Sequence, residues 1–168
     1  MKGKWAEGIR PRNFAWVIKD RLGACERPGG YGANHRRVRR QEEIIWLRQN
    51  SVDLVVSLIG APHNLHNYEE LGLEYLHRPF PPADDPARAQ LALYVELRDR
   101  LSAGRRIVVH RTEMGDTLTG LIAGYLVWTN LVPEQPRAVA LTERIFERPL
   151  GPVARELVVS AGSLVGSA

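Results

Sequence analysis

The chain has 168 residues, 44% hydrophobic and 25% charged, the proportions of an ordinary globular protein with one sizeable core. No apolar stretch is long enough for a membrane-spanning helix, and Met1–Glu7 has no apolar run behind its charges, which argues against a secretory signal and for a cytoplasmic protein. The net charge of +4 is uneven: residues 1–50 carry 12 Lys/Arg against 5 Asp/Glu.

Residues 1–12 are polar and read as a loose arm before a single domain over 13–159. Phe14–Ile18 and Arg21–Cys25 read as strands, and Arg27–Gly32 as a loop on its glycine and proline content. Cys25 is the lone cysteine. It makes no internal disulfide and no multi-cysteine metal site, and its strand context suits a buried structural thiol. A nucleophilic role would need a nearby base and a lowered pKa.

The basic run His35-Arg36-Arg37-Val38-Arg39-Arg40 opens a helix expected from about Arg37 to Gln49. Its plain reading is a solvated helix start. The alternative is an interaction surface, Arg36–Arg40, for an acidic partner. Nucleic acid is not the expected partner, because no aromatic residues interleave the basic ones.

Val52–Ile59 is a nearly continuous apolar run, the pattern of a strand buried on both faces. His63-Asn64-Leu65-His66 reads as a polar surface loop, and His63, His66 and His77 lack metal-ligand spacing. No metal or cofactor is implied. Leu73–His77 is a shorter strand. The prolines of Arg78–Pro86 exclude helix and central strand there. A helix then spans about Ala87 to Ala103, ended by Gly104. Asp84 and Asp85 stand where an N-cap is needed.

Arg106–His110 is a buried strand, Arg111–Thr117 a short loop, and Leu118–Trp128 an apolar helix. Two more helices fit Gln135–Arg148 and Val153–Val159, and the Ser/Gly/Ala-rich residues 160–168 read as a frayed tail. Strands alternating with helices predict an α/β fold, a mostly parallel sheet with helices on both faces. A loop between a buried strand and a helix N-terminus is a natural anion cradle, since the first helical amides are unpaired and carry partial positive charge.

Val109-His110, the seven residues after it, Leu118-Thr119-Gly120 and the helix Ala123-Gly124-Tyr125-Leu126-Val127 resemble the signature region of dual-specificity protein phosphatases. Those enzymes carry V-H-C-x-x-G-x-x-R-T-G and a helix like x-x-x-A-A-Y-L-V. Pro11-Arg12-Asn13-Phe14-Ala15-Trp16-Val17 resembles the P-x-N-F-x-W-V opening of the small atypical members. Val55-Val56-Ser57-Leu58 and Arg148-Pro149 are similar to their V-V-S-L strand and R-P corner, so the resemblance covers about residues 10–158. It implies a dual-specificity phosphatase-like fold and, in an intact member, hydrolysis of phosphoric esters through a cysteine thiolate.

The residues depart from that pattern where the chemistry sits. Arg111 stands at the cysteine position and Thr117 at that of the phosphate-gripping arginine. Met114 replaces the signature glycine, with Gly115 one place late. A guanidinium is never deprotonated in proteins and is no nucleophile. Glu113 and Asp116 add negative charge, each opposing a nearby phosphate by about 1–4 kcal/mol at high to intermediate dielectric.

Three states of the loop Arg111-Thr112-Glu113-Met114-Gly115-Asp116-Thr117 follow: plugged by an Arg111 pair with Glu113 or Asp116, open to an anion, or changed in geometry. By the resemblance, His110 is a structural support of the loop. The family's general acid precedes the cysteine by about thirty residues. Arg78 or Pro81 falls near that spacing, with Asp84 and Asp85 as nearby candidates. Leu157 stands at the place of a glutamine of the family's last helix.

The leading reading is a catalytically inactive phosphatase relative, a binding or regulatory module whose partner is a phosphorylated or other anionic protein. The alternatives are a phosphoester hydrolase of altered mechanism, using Asp116 or Glu113, and the basic surface at Arg36–Arg40.

Overall fold

The computed structural model describes residues 8–30, 37–62 and 64–167. Among them are five strands and six helices: β1 (Ala15–Ile18), β2 (Leu22–Glu26), α1 (Arg37–Gln49), β3 (Leu54–Ser57), α2 (His66–Glu70), β4 (Glu74–His77), α3 (Pro86–Ser102), β5 (Ile107–Arg111), α4 (Asp116–Trp128), α5 (Gln135–Phe146) and α6 (Pro152–Ser163). The strands form one sheet in the order β1-β2-β5-β3-β4. Only the β1–β2 pair is antiparallel. The α/β class and the mostly parallel sheet agree with the sequence reading. Among the described residues no helix is long and apolar enough to cross a membrane.

The chain divides into two compact units. The first runs to Pro79 and resumes over Gly104–Glu113. It holds the whole sheet with α1 and α2. Val55 and Val108 pair in register across β3 and β5. They pack with Cys25, with Ile44 and Leu47 of α1, and with Leu65, Tyr68 and Leu73. The alternate residues Leu54, Val56, Ile107 and Val109 are buried as well. Burial of both sets explains the unbroken apolar runs in the sequence.

The second unit, Phe80–Ala103 with Met114–Ala168, holds α3 to α6. Every residue of α4 from Leu118 to Trp128 is buried. Its glycines let neighbouring groups come close. A Cβ on Gly120 would sit 2.6 Å from the Ala154 Cα of α6. One on Gly124 would sit 2.5 Å from the Tyr94 hydroxyl of α3 and 2.9 Å from the Ala161 Cβ of α6.

Three expectations need correction. The described part of the N-terminal arm is docked, since Ile9 N–H donates to Glu42 O at 3.0 Å and Pro11 is buried. Residues 1–7 lie outside the described residues. The tail is helical further than expected, because α6 continues to Ser163 and buries Ala161. The segment read as a polar surface loop turns into α2, which buries Asn67 and Tyr68. Five helical residues are too few to show a period, so the sequence carried no signal for it. His63, His35 and Arg36 lie outside the described residues.

Candidate functional site

β5 delivers His110 and Arg111 to the carboxyl end of the parallel strands. Four residues, Thr112–Gly115, then lead into α4, whose N-cap is Gly115. Adjacent strand residues point to opposite faces, so His110 and Arg111 diverge.

His110 is 2% exposed and pairs in register with Cys25 and Ser57. Its Nε2 meets the Tyr68 hydroxyl at 3.0 Å. Nδ1 is buried with no hydrogen-bond partner among the described residues. Burial pushes its pKa down to about 3; the Arg111 backbone partly offsets this and the Arg27 guanidinium adds to it. The imidazole is therefore neutral at neutral pH. The cavity beside it, lined by Arg27, Arg40, Ser57 and Tyr68 among others, has about 20 Å³. That is room for one water, not for a phosphate group.

Arg111 ends β5 opposite Glu26, and its carbonyl accepts from Arg27 N–H at 2.7 Å. The residue is half-buried, and its Nε is buried with no partner among the described residues. Glu113 beside it is exposed. Within the second unit Met114 is buried, and Thr117 is half-buried in the first turn of α4. Thr119 donates through both its N–H and its hydroxyl to Gly115 O, each at 3.0 Å, which fixes that first turn.

Asp116 does something the sequence did not reveal. Its carboxylate accepts from Gly151 N–H at 3.0 Å and from Ala154 N–H at 3.4 Å. The N-cap of α6 is Gly151, which has no side chain to offer. Asp116 supplies that cap from α4, satisfying orphan amides and facing the positive end of the α6 dipole. The signal was indirect: Gly151-Pro152 opens a helix with no Ser, Thr, Asp or Asn to cap it.

Asp85 takes the capping role offered to it. Its side chain accepts from Arg88 N–H at 3.1 Å, and its φ of 36° is left-handed. Asp84 is exposed just before it. At α6, the Leu157 carbonyl accepts at 2.9 Å from Gln90, a fully buried residue of α3 that also donates to the Tyr94 hydroxyl at 3.0 Å. Sequence reasoning passed over Gln90, a polar residue on an apolar helix face.

Cys25 is fully buried. Burial, then the carboxylates of Glu43 and Glu26, push its thiol well above the ordinary range. It is neither a thiolate nor reachable by a substrate. In the basic run, Arg37 and Val38 are exposed, Arg39 pairs with Glu43 at 3.6 Å, and Arg40 Nε donates to Asn67 Oδ1 at 2.5 Å. Among the described residues no three His, Cys, Asp or Glu side chains converge as metal ligands.

No protein-family model matches the sequence, and no curated protein does. Solved structures do match. Kinase associated phosphatase, solved with its catalytic-site cysteine substituted by serine, is similar with a TM-score of 0.76 and 16% identity, covering 94% of this chain and 98% of that one. Tk-PTP in its active form has a TM-score of 0.69 and 18% identity, covering 89% of this chain and 96% of that one. Human DUSP28 has a TM-score of 0.66 and 13% identity, covering 96% of this chain and 99% of that one. Identities this low speak for the fold alone, and they agree with one another: the chain has the fold of the dual-specificity and protein tyrosine phosphatases.

Proposed function

We propose that this chain is a catalytically inactive member of the phosphatase fold that acts as a binding module for a phosphorylated protein. The observation that carries the reading is Arg111, a permanent cation at the end of β5 where the resemblance puts the attacking thiolate. The lone thiol, Cys25, is buried elsewhere in the sheet. Nothing at position 111 can attack phosphorus.

Binding does not need that attack. A guanidinium with a buried, unpartnered Nε is a ready donor for a phosphate oxygen. The carboxylate of Asp116, which would oppose a dianion, is turned to the α6 amides. That engagement also argues against Asp116 as a carboxylate nucleophile. Kinase associated phosphatase was solved without its catalytic-site cysteine, which supports the view that the fold survives loss of that group.

The test offers the purified chain a phosphotyrosine peptide and its unphosphorylated twin. The phosphorylated form is expected to bind the tighter by about tenfold, a preference lost in Arg111→Ala, with no phosphate released. Equal affinity for the two peptides overturns the binding role.

A further inference from the structure

A concavity of the first unit lies away from Arg111. It has about 600 Å³ and opens between the turn after β2 and the first turns of α1, with Arg12, Arg37 and Arg39 on its walls and Gly29 and Gly30 beside them. We propose that it is a second anion site, taking a small phosphorylated molecule held by Arg12, Arg37 and Arg39.

Charge and support argue for it together. Arg12 and Arg37 are exposed. Arg39 is steadied by Glu43, whose carboxylate also accepts the Gly29 N–H and so ties the glycine turn to α1. Glu43 is 1% exposed, a carboxylate placed under the guanidinium rather than in solvent. Gly30 has a φ of 73°, and a Cβ there would meet nothing within 4 Å among the described residues. Glu42 also lines the cavity. Three guanidinia against Glu42 and Glu43 leave an excess of positive charge even with both carboxylates ionised.

The planar fork of arginine matches phosphate oxygens two at a time. The volume sets the class of ligand. It falls within the range of sites for small organic molecules and far exceeds one phosphate group. Val38, 60% exposed on the same wall, offers an apolar contact to the rest of such a molecule. No residue of the 111–117 loop lines the cavity, so the site stands or falls independently of the function proposed above.

Titration calorimetry of the full chain with inorganic pyrophosphate at low salt tests the site. A saturable site is expected that is weakened at least about tenfold in Arg12→Ala and in Arg37→Ala and kept in Arg111→Ala. Both substituted arginines are exposed, so circular dichroism of the variants should match the parent. Absence of saturable binding overturns the proposal. So does binding lost in Arg111→Ala but kept in Arg12→Ala and Arg37→Ala, and so does equal weakening by all three, which would reveal diffuse charge rather than a site.

Discussion

Two residues, one at the end of β5 and one at the start of α4, have their side chains committed to the fold. His110 is held neutral by burial, and this has a measurable consequence. In the unfolded chain the imidazole titrates near 6.5, and in the folded chain near 3. Between those values the unfolded state binds more protons, so stability rises with pH across the window and falls on acidification. From neutral pH to about pH 5 the loss is roughly 2 kcal/mol. Urea unfolding at the two pH values should show it, and His110→Gln should flatten the slope. A slope unchanged by that substitution would assign the effect to other groups. Asp116 is the second case. Asp116→Ala removes the acceptor for Gly151 and Ala154 and is expected to cost about 1–2 kcal/mol in the same measurement. A neutral result would mean that water caps α6 equally well.

Among the elements, α4 is held by what its glycines allow. Gly124 admits the Tyr94 hydroxyl, which donates to Leu121 O at 2.7 Å, and the Ala161 Cβ. Gly124→Ala must displace a buried, hydrogen-bonded tyrosine, at about 1–3 kcal/mol. A melting temperature equal to the parent's would contradict that packing. The elements also mark how far the sequence could be read. β3 and β5 were legible because burial of both faces makes their runs continuously apolar. α1 was legible from its basic start and apolar body, and its observed bounds coincide with the expected Arg37–Gln49. α2 was not, because its short helix depends on Leu65 and Tyr68 reaching the core rather than on a periodic pattern. The extension of α6 to Ser163 was missed because Ser, Gly and Ala look unstructured until Ala161 finds its burial.

For the whole molecule, the phosphatase fold was visible in scattered short motifs while its chemistry was not. The opening Pro11–Val17, the strand at Val55–Leu58 and the helix at Ala123–Val127 preserve backbone and packing. By the resemblance, Arg111 and Thr117 stand at the attacking and gripping positions in the same stretch of chain. The replacements at the loop were readable from sequence, but the fate of Asp116 was not. Its partner Gly151 lies 35 residues away, and only the packing of α4 on α6 brings them together. Asp116, one of the two carboxylates of that loop, serves as a long-range helix cap. Charge follows the same division: the excess of Lys/Arg in residues 1–50 belongs to the first unit, where Arg12, Arg37 and Arg39 line a concavity of about 600 Å³.

The proposed inactivity rests on the lack of an attacking group at position 111, which turnover of an aryl phosphate by the purified chain tests most directly. Across acid, neutral and alkaline buffers, release of the phenol is expected to equal that of buffer alone, and to stay there in Arg111→Ala and Cys25→Ala. Release above that background which survives repeated purification and disappears in either variant would contradict it.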